Sequence, residues 1–204
     1  MTLIILLVIV AVIGFWVMGA YNGLISLKNQ VANAWKQIDV QLKRRHDLIP
    51  NLVEAAKGAM QFEKQTLEAV IAARNNAITA AKGASTGGAG DLPTAQAVTA
   101  TAAAEGQLTA SLGRLFAVVE AYPQLKATGN IGQLQEELVS TENKIAFSRQ
   151  LYNDTATEYN TKQQQFPTNL VAGLAHASAA QLWEISDAAE REVVKVDLGM
   201  TPKA

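Results

Sequence analysis

The chain contains no cysteine. Disulfides, thiolate metal ligands, a cysteine nucleophile and an acylated lipoprotein anchor are excluded with it. Histidine is nearly as scarce: His46 and His176 are the two in 204 residues. A metal site needs three or four convergent ligands, which a helix offers at i and i+4. The positions four away from His46 are Leu42 and Pro50, and no HExxH pattern occurs. No metal and no cofactor are therefore expected. Charge of one sign is also missing, since 17 Lys and Arg face 18 Asp and Glu for a net charge of −1. Such a chain has no global field to draw nucleic acid, and its basic residues do not interleave with aromatics as a nucleic-acid surface requires. No P-loop, GxSxG or strand-linked GxGxxG is present. The glycines at Gly87, Gly88 and Gly90 have neither a preceding strand nor a phosphate-binding lysine. No catalytic residues are assigned, and a non-enzymatic protein is expected.

The longest absence is of charge. Lys28 is the first charged side chain, and Leu3 to Ala20 reads LIILLVIVAVIGFWVMGA. A bilayer core of about 30 Å is crossed by about 20 apolar residues in a helix. Trp16 and Tyr21 supply interfacial aromatics at the exit. Residues 1–27 are read as a retained transmembrane anchor and its exit, so membrane lipid is the first expected partner. A cleaved signal peptide is the alternative, but it calls for a basic flank before a shorter apolar run.

Two-residue alternation is absent beyond the anchor, and helical spacing is abundant. Leu24, Leu27, Val31, Trp35, Ile38 and Leu42 recur at steps of three or four. The spacing predicts helices over Asn22–Ala81, Thr94–Tyr122 and Ile131–Gln165, the first broken or kinked at Pro50, which removes a hydrogen bond and disfavours helix at Ile49. Residues 83–93, GASTGGAGDLP, predict a flexible loop. The expected fold is all-α: a transmembrane helix continuing into an antiparallel long-helix bundle of about four helices, with the Pro50 break supplying the fourth rod. The bundle is assigned to residues 28–168. A tail over 169–204 is expected to hold short helices and an extended VVKVDL piece.

Three residue groups stand out as candidate sites. Lys43, Arg44, Arg45, His46 and Asp47 form the densest charge cluster. It reads either as a docking surface for anionic lipid or an acidic partner, or as a salt-bridge set with Asp39, Asp47, Glu54 and Glu142 inside the bundle. Thr141, Glu142, Asn143, Arg149, Tyr152, Asn153, Tyr159 and Asn160 place many polar groups at or beside one helical seam, and Glu105 does so on another. These read as a register-fixing network or as a cryptic active site on Glu142, Arg149 and Tyr152. Trp35, between Val31 and Ile38, reads as core. The seam at Leu24, Leu27 and Val31 emerges from the membrane before a bundle would cover it, and is the candidate surface for a homo-oligomer with parallel anchors.

At the level of motifs, YNGLISLKNQVANAWKQIDVQLKRRHDLIPNLVEAAKG over residues 21–58 resembles the bacterial LemA family. So do LQEELVSTENKIAFSRQLYNDTATEYNTKQQQFPTNLVAGL over 134–174 and DAAERE over 187–192. The Ala/Thr/Gly-rich region from Gly83 to Glu105 departs from the family pattern, as does AHASAAQLW. The resemblance implies a membrane-anchored helical bundle without a settled activity. Relatives are associated with envelope stress, a membrane metalloprotease and, in one case, a magnetosome membrane. A membrane protease or another envelope component is therefore the expected protein partner. The combined expectation is a single-pass protein of the bacterial inner membrane acting as a self-associating scaffold or adaptor, with a membrane-shaping assembly as the alternative. Lys28 and Lys36 follow the anchor and no Lys or Arg precedes it, so the positive-inside rule places the bundle in the cytoplasm; a periplasmic bundle is the alternative.

Overall fold

The computed structural model describes residues 1–57, 63–84, 92–122, 129–175 and 177–184. These residues form helices α1 (Thr2–Lys57), α2 (Lys64–Ala84), α3 (Ala95–Ala121), α4 (Gly129–Gln164) and α5 (Asn169–Ala172), and no strand occurs among them. The 56 residues of α1 make a rod of roughly 84 Å at 1.5 Å per residue. Its large apolar side chains from Leu3 to Ile13 are 50–69% exposed. Water does not tolerate an apolar surface of that extent, and the segment fits the span of a single-pass membrane protein. Beyond it the same helix becomes amphipathic, burying Leu24, Val31, Trp35, Ile38, Leu42, Ile49 and Leu52.

The bundle consists of two antiparallel pairs, α1 with α4 and α2 with α3. On α1 and α4 the register is fixed by two contacts. Arg45 Nη1 lies 3.1 Å from Glu142 Oε2, and the rings of Trp35 and Tyr152 meet edge-on at 5.2 Å. Ten residues toward the anchor on α1 thus match ten residues toward the C-terminal end of α4. Continuing in step, Gln164 at the end of α4 stands about opposite Gly23.

The core falls into two apolar blocks. The membrane-proximal block gathers Leu24, Val31, Ile38, Leu42, Ile145, Tyr152 and Tyr159, and the distal block gathers Ile49, Leu52, Val70, Leu108, Leu115 and Ile131. Burial of each such aliphatic side chain contributes about 1.5–3 kcal/mol. Between the blocks, on α1 between Leu42 and Ile49 and on α3 between Ala102 and Leu108, lies a buried polar layer of Arg45, His46 and Glu105.

Pro50 does not divide the first helical segment. The helix continues through it to Lys57, and the second rod begins at Lys64. The sequence carries a stop signal at that point, a glycine directly after the basic Lys57. Proline inside a helix leaves the carbonyl four residues back without its amide partner. Here that carbonyl belongs to His46, and Arg74 Nε of α2 donates to it at 2.6 Å. The defect is satisfied by a charge-assisted bond from the neighbouring helix, so the rod persists and α2 is tied to it. Helix α3 opens with a side-chain cap, in which Ala97 N donates to Thr94 Oγ1 at 3.2 Å; α4 ends ahead of Pro167. Residues 177–184, within the stretch read as short helices, form no helix but an extended strap. Residues 85–91 of the expected loop, Pro123, His176, DAAERE and VVKVDL lie outside the described residues.

Candidate functional site

The polar layer is an ion network shared by three helices. Arg45 on α1 places Nη1 3.3 Å from Glu105 Oε2 of α3 and 3.1 Å from Glu142 Oε2 of α4. Its Nη2 donates to Thr109 Oγ1 at 2.7 Å. His46 Nε2 stands 2.7 Å from Glu105 Oε1. Both oxygens of Glu105 are thus engaged, and Arg45 and Glu105 retain only 4% and 6% side-chain exposure. Adjacent residues on one helix can both face inward here because Arg45 turns toward α3 and α4 and His46 toward Glu105. The network needs its partners: an ion removed from water without compensation is far more costly than the paired arrangement.

Beside the layer is a cavity of about 460 Å³, open to solvent and lined by Arg45, Glu105, Glu142, Arg149 and Trp183 among others. The guanidinium carbon of Arg149 sits 5.4 Å over the Trp183 ring, a cation–π arrangement. The cavity therefore holds both charge signs, with Arg45 set against two carboxylates and Arg149 against an aromatic face. Tyr152 is not part of its lining. The Tyr152 hydroxyl instead donates to Gln181 O at 2.6 Å, and burial pushes its pKa upward. Proton transfer through this phenol at neutral pH has no basis in such surroundings. Burial likewise raises Tyr159.

The remaining polar residues of α4 have a different employment. Asn153 and Asn160 are seven apart and so share a helix face. Asn153 Nδ2 donates to Trp183 O at 3.0 Å while Trp183 N donates to Asn153 Oδ1 at 2.8 Å. Asn160 repeats the pattern with Ala180, Nδ2 to O and N to Oδ1, each at 2.8 Å. Each carboxamide pairs with one residue's own N–H and C=O, as a neighbouring strand would. With the Tyr152 hydroxyl bonded to Gln181 O, between Ala180 and Trp183 on the strap, these amides pin the strap along α4 through its backbone, and Trp183 then packs on Trp35 at 5.7 Å between ring centroids.

The expected charge cluster is split by the helix. Arg45 and His46 turn inward, whereas Lys43, Arg44 and Asp47 are exposed. Of the acidic partners expected for the cluster, Glu142 pairs with Arg45, and Glu54 pairs instead with Lys57 at 2.7 Å. Lys43 and Asp47 line a separate cavity of about 560 Å³ between α1 and α2, with Leu42 and Ile78. The seam at Leu24, Leu27 and Val31 is not a free surface: Leu24 and Val31 are 1% and 0% exposed within this single chain, and Leu27 packs on the same core block. The α4 end and α5 cover what the sequence left open. Of the proposed Glu142, Arg149 and Tyr152 constellation, only the first two line one cavity. Sequence reasoning missed Arg74, whose signal was the i−4 carbonyl that Pro50 must leave free. It also missed the strap, for which the seven-residue spacing of Asn153 and Asn160 was the available sign. Among the described residues no group of three or more potential metal ligands is assembled.

Comparison with known proteins gives a consistent picture. The model of the LemA family matches residues 34–198. Magnetosome protein MamQ 2 of Paramagnetospirillum magneticum is 26% identical over 192 residues, covering 87% of this chain and 70% of the relative. Magnetosome protein MamQ of Magnetospirillum gryphiswaldense is 26% identical over 163 residues, covering 74% and 60%. Protein LemA of Metamycoplasma hominis is 26% identical over 184 residues, covering 90% and 75%.

Proposed function

The chain belongs to the LemA family, and within that family we propose that it works as a non-enzymatic, membrane-anchored helical scaffold. The observation that carries this reading is the continuity of α1, one helix from the apolar run through both core blocks of the bundle. Such a rod holds the bundle at a set orientation and height over the bilayer, which suits an adaptor that presents a surface to envelope partners such as a membrane protease. The polar groups support the same reading. Arg45, Glu105 and His46 engage one another, Tyr152 is committed to the strap, and Asn153 and Asn160 spend their amides on backbone. Membrane organisation by many copies side by side is the second reading, favoured by the same continuity, since a rod without a hinge transmits tilt to the bilayer. Relatives named as magnetosome proteins fit it. Copies then associate through outward faces, because Leu24 and Val31 are occupied within the chain.

The test is rescue of a deletion strain, read as growth under envelope stress. The Glu142→Gln/Arg149→Gln variant keeps hydrogen-bonding capacity while removing the two charges of the expected Glu142, Arg149 and Tyr152 constellation that line the cavity. It is expected to restore growth, and the bundle cut free of residues 1–27 is expected not to. A folded, membrane-inserted double variant that fails to rescue would overturn the non-enzymatic reading.

A further inference from the structure

We propose that the corner between α4 and α5 is a second membrane contact, through which Phe166, Leu170 and Leu174 enter the surface of an anionic bilayer beside the exit of α1. The inference rests on the apolar run of α1 being the membrane span. Phe166, Leu170 and Leu174 are 80%, 67% and 69% exposed. They follow one another at steps of four in a stretch whose backbone is turned and helical, with Asn169 N bonded to Gln165 O and Leu174 N to Val171 O. Other residues of the same stretch are buried: Thr168, Val171 and Ala175 are turned inward, and Ala175 belongs to the block that contains Leu24. A helix apolar on both sides does not end at water.

Its height identifies what covers the outer side. By the shared register of α1 and α4, Gln164 stands about opposite Gly23, and Phe166 follows it by two residues in the turn at the end of the apolar run. The covering of α1 begins at the same level: the large apolar side chains through Ile13 are more than half exposed except Ile9 at 50%, whereas Val17 and Ala20 are partly covered and Leu24 is buried. Helix α5 packs against α1. The lower end of α2 does not reach this level, since Lys82 lies beside Asp39 around one cavity. The charges agree with a lipid surface. No carboxylate occurs in residues 1–38 or 159–175, where Lys28, Lys36 and Lys162 supply the charge. Phe166, Leu170 and Leu174 are therefore apolar side chains with basic residues above them, at the depth where headgroups meet acyl chains.

Absence of native cysteine makes the test direct. Full-length protein carrying Phe166→Cys, Leu170→Cys or Leu174→Cys is labelled with an environment-sensitive fluorophore and reconstituted into phosphatidylcholine/phosphatidylglycerol vesicles. Ile9→Cys reports the span. Phe147→Cys reports an exposed site roughly 28 Å farther along α4. Positions 166, 170 and 174 are expected to emit to the blue of position 147 and to lose intensity when spin-labelled lipid is included, at every protein-to-lipid ratio. Water-like emission at the three positions with quenching at position 9 overturns the contact while leaving the span intact. Water-like emission at position 9 as well overturns both. A blue shift that disappears on dilution with lipid assigns the patch to a second copy and also overturns the proposal.

Discussion

Removing Glu105 puts the polar layer to its sharpest test. In Glu105→Ala, His46 loses its 2.7 Å partner and Arg45 loses one of two carboxylates. Thr109 and Glu142 remain to Arg45, but Glu142 is 43% exposed, so its field is weakened by solvent. Breaking a buried pair by truncating one partner costs about 3–5 kcal/mol. For a domain of this size that lowers the melting temperature by roughly 6–20 °C, measurable by far-UV circular dichroism of the detergent-solubilised protein. Replacing the whole layer, Arg45→Met/His46→Leu/Glu105→Leu, removes the uncompensated charges and joins the two apolar blocks. Its stability is expected to return to the parent value or exceed it by about 1–4 kcal/mol, as apolar replacement of a buried ion set commonly does. A loss below about 1 kcal/mol in Glu105→Ala, or a triple variant less stable than the single one, would falsify the account of the layer as a desolvated, mutually compensating network.

Three further outcomes follow from the same geometry. Asn153→Ala and Asn160→Ala should each cost about 1–3 kcal/mol and selectively deprotect the amides of Trp183 and Ala180 in hydrogen exchange; uniform protection changes across the bundle would contradict a local clamp. Arg74→Met should cost about 1–3 kcal/mol in the parent and clearly less beside Pro50→Ala, because the new amide takes the His46 carbonyl; equal costs in the two backgrounds would refute the coupling. Burial raises the Tyr152 pKa in the fold above its unfolded value of 10.0, so its contribution to stability is complete below that pH and declines as pH rises beyond it. Tyr152→Phe should lose about 0.5–1.5 kcal/mol with the Gln181 bond and show a shallower alkaline decline; an unchanged alkaline slope would count against the buried phenol.

The helical architecture was legible because its causes are local. Steps of three and four from Leu24 to Leu42, helix-forming alanine and the Pro167 stop each act within a few residues, and the structure has α3 and α4 within two residues of the bounds read from them. What the sequence did not disclose depends on contacts distant along the chain. Pro50 was read by its intrinsic effect, which is correct for an isolated helix; Arg74 reverses the outcome by bonding the freed His46 carbonyl from 28 residues along the chain. The charge cluster was legible as charges but not as sides, since the choice of Arg45 over Arg44 follows from where α3 and α4 lie. The strap was illegible for a deeper reason. Ala180 and Trp183 are bound through their backbone, so the residue types there carry little of the information that Asn153 and Asn160 carry for them.

Two kinds of device thus divide the bundle according to distance from the bilayer. The distal block is built mainly of aliphatic side chains, and such packing by itself leaves many near-equivalent offsets. The ion layer removes that freedom, since Arg45 meets Glu105 and Glu142 together in one offset only. Below it the Asn153 and Asn160 clamps fix the strap at two points on α4, and Trp183 of the strap closes over Trp35 of α1. Helix α1 is therefore locked axially at Arg45 and laterally at Trp35 before it reaches the membrane. Among the described residues α1 is one unbroken helix from its span to these two locks, so a tilt of the span is expected to be carried to the bundle.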